Sequence, residues 1–594
     1  MVEPITSPVR GTVASIEVDA GQRSVANHAL VIIESMKMEH PITVGADVVV
    51  RSISVSVGQT VDVGDLLLSV EVLGTAEVGA SHGLPGRAAD VLRADLAAVI
   101  DRHAATLDPG RPAAVDRRAR KGRRTVRQNV DDLCDDRSFV EYGALAIAAQ
   151  RRRRPTEELI ERTPADGLVG GIGRVDGQSI VIAAYDETVL AGTQGMVNHL
   201  KKDRLFALAA EQSLPVVLFA EGGGGRPGDV DAPGVSGLDV PGFQLFARLA
   251  GQVPLIGIVA GYCFAGNAAL LGTCDVVIAT RDSNIGMGGP AMIEGGGLGV
   301  VEPTDIGPID RQARNGVVDV VATDEMEAVA IARSVLGLFG NPMTDWSCGD
   351  QTELRDVVPE NRRRTYDIRR AIDLIADHRS VVELRREHAP TMVACLARLA
   401  GRPVGILAND PMHLGGAIDA AGCDKAADFL ELCDRFGLPV ISLCDTPGFM
   451  VGPEAENEAT VRRAGRFFRV GANLHVPICM VVLRKAYGLG AQAMAGGSLK
   501  VPMITVAWPT GEFGGMGLEG AVRLGFRREL EAIDDPDERA EAEAQMIALA
   551  YERGGALNIA SHFEIDDVID PADTRRLLAA VLESTRWTGA STKP

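Results

Sequence analysis

The sequence predicts an α/β protein, a small β-barrel followed by two tandem ββα halves, and three observations predict it. Residues 3–71 hold a short duplication. "GQRSVANHALVIIE" (Gly21 to Glu34) and "GQTVDVGDLLLSVE" (Gly58 to Glu71) are offset by 37 residues at both ends (21 to 58, 34 to 71). A longer duplication follows, in which Gly177 and Gly401, Leu214 and Leu438, and Gly266 and Gly490 all share an offset of 224. Glycine is abundant, 67 of 594 residues, as in sheets whose backbones approach closely.

The bulk numbers bound the function. The length suggests roughly three to four domains. A formal charge of −20 argues against a nucleic-acid partner, because a phosphate backbone rewards clustered cations. It leaves room for an anionic small ligand. The nine cysteines are scattered with no C-x-x-C pair, which reads as reduced thiols rather than disulfides or a metal site. The start "MVEPITSPVR" lacks the pattern of a signal peptide, and no apolar run reaches the ~18 residues of a membrane span. A soluble cytoplasmic protein with no membrane partner is expected.

In the short duplication each copy is a Gly turn followed by β-branched and aliphatic alternation, so each reads as a hairpin strand set. Two copies make a barrel with pseudo-two-fold symmetry. "IIESMKMEHP" (32–41) falls between them and puts Lys37 at the turn, solvated and reachable. Strand alternation would put Met36 and Met38 on the opposite side from Lys37. "EVLGTAEVGASHGLPGR" (71–87) is poor in large apolar residues and reads as a flexible linker.

Each later half reads strand, strand, amphipathic helix, strand, loop, helix, strand. "NHLKKDRLFALAAEQS" (198–213) has helical spacing, with Leu205, Leu208 and Ala209 on one face. "VPLIGIVAGYCFAGNAAL" (253–270) pairs with "VPICMVVLRKAYGLGAQAM" (476–494), with one extra residue expected in the second copy. "DDRSFVEYG" (135–143) pairs with "ADHRSVVEL" (376–384) at an offset of 242, so the first half holds 18 more residues upstream, among them "QRRRRPTEELIERTPADG" (150–167). The Gly-bearing segments lie at strand-to-helix junctions, where backbone N–H groups are free.

"SPVRGTV", "ESMKME" and "VGQTVDVGDLLLSVE" together resemble the biotin carboxyl carrier domain family, and the Met-Lys-Met triplet separates it from lipoyl carriers. The resemblance implies biotin, amide-linked to Lys37 between Met36 and Met38 by a biotin protein ligase. Ser35 stands where the family usually has Ala. The doubled region, through "DDRSFVEYG", "DGLVGGIGRVDG", "CDTPGFMVGPEAE", "RKAYGLGAQAM", "AWPTGEFGGMGLEGAV" and "IDDVIDPADTR", resembles the crotonase-fold carboxyltransferases of propionyl-CoA and acetyl-CoA carboxylases (their β subunits). The order, carrier before transferase, is similar to the C-terminal part of single-chain long-chain acyl-CoA carboxylases. The implied domains are a biotinyl domain at 1–73, a linker at 74–87, a transferase N-terminal domain at 88–345 on the acyl-CoA side, and a C-terminal domain at 346–594 on the carboxybiotin side.

The function implied is transfer of CO2 from carboxybiotin on Lys37 to the α-carbon of an acyl-CoA. A separate biotin carboxylase chain would use ATP and bicarbonate to recharge the biotin, and the family commonly builds hexamers, with sites where halves of two protomers meet. In the family the biotin ureido anion takes the α-proton, so no protein base is needed. The protein supplies donors for two oxyanions, each worth ~3 kcal/mol. By the resemblance Ala265 and Gly266 face the thioester, and Leu489 and Gly490 face biotin. Common members carry Gly-Gly and Gly-Ala there, and Leu489 is expected to crowd its neighbours. Close helix–strand packing is the other reading of these glycines.

Gln492 falls where the family tunes acyl-chain size. Gly222 and Gly223, in "GGGG" with Arg226 beside it, read either as CoA-channel lining or as a flexible surface loop. Arg151–Arg154 read either as partners of the CoA phosphates or as a solvated face. Cys263 and Cys444 lie beside the loops with no adjacent base and read as core thiols. Three other functions share the features: an acyl-CoA decarboxylase, an ATP-free transcarboxylase, and a biotin-carrying scaffold with inactive halves.

Overall fold

The computed structural model describes residues 2–73, 92–231 and 236–585. The chain forms two compact units, Met1–Val99 and Ile100–Pro594. The expected linker, 74–87, and the expected start of the transferase region at residue 88 lie outside the described residues. No helix among the described residues is long and apolar enough to cross a membrane.

Among the described residues the first unit holds eight strands: β1 (Val2–Thr6), β2 (Gly11–Ile16), β3 (Arg23–Ser24), β4 (Ala29–Ser35), β5 (Met38–Thr43), β6 (Val48–Ile53), β7 (Thr60–Val61) and β8 (Leu66–Val72). They form two antiparallel sheets, ordered β1-β8-β6-β3 and β5-β4-β2-β7. The 37-residue offset carries β2 onto β6, β3 onto β7 and β4 onto β8 end for end, so each sheet repeats the other. Register shifts beside Ala29 and Leu66 break the strict inside–outside alternation. Leu30 with Val31, and Leu67 with Leu68, are therefore both buried as neighbours.

In the second unit, the first half forms a seven-stranded sheet. It runs from Val320–Ala322 through Val276–Thr280, Leu255–Val259, Val216–Phe219, Gln178–Tyr185 and Leu168–Val175 to Val140–Glu141. The second half repeats it, with Met392–Leu399, Arg402–Asn409, Val440–Thr446 and Ile478–Tyr487 at its centre. These central strands are buried and mostly apolar because both faces are covered, with the polar residues Arg398, Asn409, Ser442, Asp445, Thr446 and Arg484 buried among them. Both offsets appear in matched turns. Asp135 accepts the N–H groups of Asp176 (2.9 Å) and Gly177 (2.8 Å). Asp377 accepts those of Ala400 (2.9 Å) and Gly401 (2.7 Å). The helix Thr156–Arg162 lies inside the stretch that the first half holds in addition.

The expected extra residue in the second copy is overturned. Val216 pairs with Leu255, and its counterpart Val440 pairs with Ile478. The second copy is thus one residue shorter there, and the offset through the following turn is 223. The helix expected at 198–213 spans Met196–Gln212; Leu208 is only half-buried, and the covered stripe holds Lys202, Leu205, Phe206 and Ala209. One apolar core spans both halves, where the Phe339 and Phe436 rings lie 4.8 Å apart. Each such side chain stabilises by about 1.5–3 kcal/mol, which ties the halves into one body.

Candidate active site

Lys37 sits at the tip of the β4–β5 hairpin, where Ser35 pairs with Met38. Met36 (φ 51°) and Lys37 (φ 66°) are both left-handed turn residues, the geometry of a two-residue hairpin turn that follows the strand twist. Strand alternation does not reach them, so the expected opposition of Met36 to Lys37 does not apply. Lys37 is exposed, Met36 is 95% exposed and Met38 66%. Large apolar side chains held this far into water flank an amine that makes no ion pair among the described residues. A biotin amide fits this tip, because nothing in the fold competes for the nitrogen.

The second unit presents the same turn twice. In the first half Tyr262–Phe264 leads into the helix Gly266–Leu271, with Ala265 at the junction (φ 51°, ψ −122°). In the second half Ile478–Tyr487 leads into the helix Gly488–Met494, with Gly488 at φ 58°. Pairing of Tyr262 with Asn284 and of Lys485 with Glu512 sets the correspondence. Ala265 matches Gly488, Gly266 matches Leu489, and Asn267 matches Gly490. The expected equivalence of Gly266 and Gly490 is corrected accordingly. Ala265 bears strain that Gly488 avoids, since a residue with Cβ rarely adopts such φ.

The donors differ from expectation. The Ala265 N–H donates to the Gly286 carbonyl at 3.1 Å, so it is not free for a ligand. The Gly266 N–H, in the helix's first turn, has no acceptor among the described residues. Leu489 does not crowd the turn; it is 61% exposed, and its N–H occupies the matching position. Gly490 has a packing reason: a methyl group there would sit 2.7 Å from the Gly448 Cα.

Gly222 and Gly223 are neither a flexible loop nor a free anion cradle. Their N–H groups donate to the carbonyls of Tyr262 (2.8 Å) and Ala191 (3.1 Å). The Arg226 side chain is 3% exposed, bonded to Asp166 and, at 2.8 Å, to the Thr193 carbonyl. It is committed to the fold and cannot line a CoA channel. Arg151, Arg152 and Arg153 are exposed and Arg154 pairs with Glu158. Cys263 and Cys444 are buried, which pushes both thiols well above their usual range and makes them inert. Gln492 lines an open cleft of about 820 Å³ with the apolar Phe513, Leu518, Val522 and Phe526 and the charged Arg553 and Glu564.

Four residues that the sequence did not single out adjoin the first-half turn. Gln194 Nε2 donates to Asn267 Oδ1 (3.2 Å), and Gln194 Oε1 accepts from Lys202 Nζ (3.0 Å), which also meets His199 Nδ1 (2.8 Å). Burial pushes Lys202 down to about 7, and burial with the neighbouring Lys202 pushes His199 down to about 4. One signal was present: Lys202 shares helical spacing with Phe206 and Ala209, a cation on an apolar stripe.

Comparison with known proteins agrees with this architecture. Residues 117–593 match the family model described as "Carboxyl transferase domain", and residues 5–70 match "Biotin-requiring enzyme". The chain is 34% identical to the methylmalonyl-CoA carboxyltransferase 12S subunit of Propionibacterium freudenreichii subsp. shermanii, over 79% of this chain and 90% of that one. It matches the solved structure of a single-chain, multi-domain long-chain acyl-CoA carboxylase at 54% identity and TM-score 0.79, covering 98% of this chain and 56% of that one. A transcarboxylase 12S crystal structure, described as a hexamer with methylmalonyl-CoA bound, matches at 31% identity and TM-score 0.73, over 87% of this chain and 98% of that one.

Proposed function

The chain belongs to the carboxyl transferase family and carries a biotin-requiring domain at residues 5–70, and on that premise we propose that it carboxylates the α-carbon of an acyl-CoA using biotin on Lys37. The observation that carries this reading is Lys37 itself, an unpaired amine on an exposed hairpin tip in the same chain as a duplicated transferase fold. The barrel is taken as residues 1–73, and the transferase halves as 88–345 and 346–594.

Biotin, when attached, supplies CO2 in activated form and a basic ureido group. The chain's own residues hold charge and exclude water. Gly266 offers its N–H to the thioester oxygen as negative charge builds there on loss of the α-proton. The Leu489 N–H does the same for the second oxyanion. A preorganised donor of this kind stabilises the transition state by ~3 kcal/mol, because it needs no reorganisation at the moment of reaction. Gln492 lines a cleft of about 820 Å³ of mixed polar and apolar character, a size suited to a small-molecule moiety, and is assigned a part in what that cleft accepts. Arg151–Arg153 offer exposed cations to the CoA phosphates.

Recharging is assigned to a separate biotin carboxylase, and the assembly to a hexamer, as in the transcarboxylase 12S structure. The test is reconstitution of the biotinylated chain with a biotin carboxylase, ATP and bicarbonate against acyl-CoAs of increasing length. Carboxylated acyl-CoA formed only with ATP supports the reading. A carboxyl exchange that ignores ATP and runs between two acyl or keto-acid substrates would favour a transcarboxylase, the activity named for the 12S relative.

A further inference from the structure

The first-half turn holds one free backbone donor of the expected two, because the Ala265 N–H is spent on Gly286. We propose that the Gln194 side-chain amide is the second oxyanion donor of this turn and that Lys202 is the positioning residue that orients it. The inference rests on the reading that the first-half turn receives the acyl thioester.

The geometry begins with Gly266. A methyl group at that glycine would sit 3.2 Å from Gln194 Nε2, so the amide lies over the same small space as the Gly266 turn. Gln194 is 4% exposed. Nε2 carries two hydrogens. One goes to Asn267 Oδ1, which also accepts the Gly224 N–H at 3.1 Å. The other has no acceptor among the described residues. A buried amide hydrogen left unpaired is costly, a cost that a ligand oxygen would remove.

The amide could in principle sit either way round. Lys202 and Asn267 decide it. Lys202 Nζ, a donor in either protonation state, lies 3.0 Å from Gln194 Oε1, and Asn267 Oδ1, which already accepts the Gly224 N–H, takes the other side. Flipping the amide would set its oxygen against Asn267 Oδ1, a repulsion in a buried place, and would give up the bond from Lys202 to Oε1. Lys202 is fully buried, also meets His199 Nδ1 at 2.8 Å, and lies 5.3 Å from the centre of the Phe243 ring.

The fold does not require this cluster. At the matching places the second half has Ile418 for Gln194, Cys423 for His199, Ala426 for Lys202 and Gly490 for Asn267. Ile418, Cys423 and Ala426 are all fully buried. The same architecture therefore closes with apolar packing where the first half keeps four polar side chains, one of them a fully buried lysine. Burying an amine that makes no ion pair among the described residues is costly, and a role in orienting the oxyanion donor accounts for its presence.

The test is steady-state carboxylation by the full biotinylated chain with a biotin carboxylase, comparing wild type with Gln194→Glu and Gln194→Leu. Glutamate would pair with Lys202 but set its other oxygen against Asn267 Oδ1, so it should cost stability, and a purely structural role predicts that the folded fraction of Q194E stays active. The proposal predicts that Q194E, assayed at a temperature where thermal melts show it folded, loses about a hundredfold in kcat, with KM for acyl-CoA little changed. Q194L should lose a similar factor. Lys202→Met should lose kcat less steeply, since the donor remains but its orientation does not. If Q194E keeps kcat within about threefold of an active wild type, or loses through KM alone, the proposal is overturned. An inactive wild type with full biotin occupancy would instead sink the underlying reading.

Discussion

Gly266 and Leu489 occupy one position in two copies of the same strand–turn–helix, 223 residues apart, as the pairing of Tyr262 with Asn284 and of Lys485 with Glu512 requires. Duplication has kept the backbone donor and released the side chain. On the proposed reading the function of this position belongs to the main chain, and the consequences for individual residues separate cleanly.

Leu489 and Gly490 should part company under substitution. Leu489→Ala removes an exposed side chain and should shift stability by less than about 0.5 kcal/mol. Gly490→Ala drives a methyl group into the Gly448 backbone at 2.7–2.8 Å and should cost about 1–3 kcal/mol. Urea unfolding of the two variants measures both.

Arg226 is a fold residue. Arg226→Met leaves Asp166, 0% exposed, buried without its cation, and should destabilise by about 3–5 kcal/mol. Calorimetric titration with acyl-CoA at a temperature where the variant stays folded should show unchanged affinity. A large loss of affinity in folded protein would return Arg226 to the CoA site.

Lys202 gives a pH signature. Its folded value is held down to about 7 by burial, against 10.5 for the free side chain. Between those values the unfolded chain binds the proton and the folded chain does not, so wild-type stability rises with pH across this window. Lys202→Met lacks that term. The variant should look best relative to wild type below pH 7, and wild type should gain on it steadily as pH rises toward 10. The groups facing Lys202 are His199 and Asp203 on its own helix, Gln194 just before it, and Phe243 and Gly242 from the helix Gly242–Leu249, so His199→Gln serves as the control. Denaturant midpoints at several pH values read the difference.

Lys37→Arg should keep the barrel's stability, since the side chain is exposed and unpaired at the hairpin tip, and should abolish both biotinylation and turnover. Intact-mass measurement after expression with a biotin ligase checks the first, and carboxylation assays check the second.

What was legible in the sequence was whatever repeats. The barrel offset of 37 and the hairpin offset of 224 translate directly into strands, because repeated apolar alternation closes repeated sheets. Lys37 was legible because its triplet falls between the repeats. The turn register was not, since a single residue dropped between Phe219 and Leu255 shifts the match from Gly490 to Leu489 and leaves the glycines misleadingly aligned. Arg226 looked available because sequence spacing cannot show Asp166, sixty positions away, closing on it. Gln194 and Lys202 carried only the faint signal of a cation on an apolar stripe, and their meeting depends on tertiary packing.

The central claim is that this chain passes a carboxyl group between its own biotin and an acyl-CoA. Its most direct measurement is the reverse transfer: incubate the biotinylated chain alone with a carboxyl-labelled malonyl-type CoA, quench rapidly at alkaline pH, and follow the label to the peptide bearing Lys37. Label on that peptide in wild type, absent in Lys37→Arg, is the predicted result. A fully biotinylated wild-type chain that stays unlabelled with both short and long malonyl-type CoAs would contradict it.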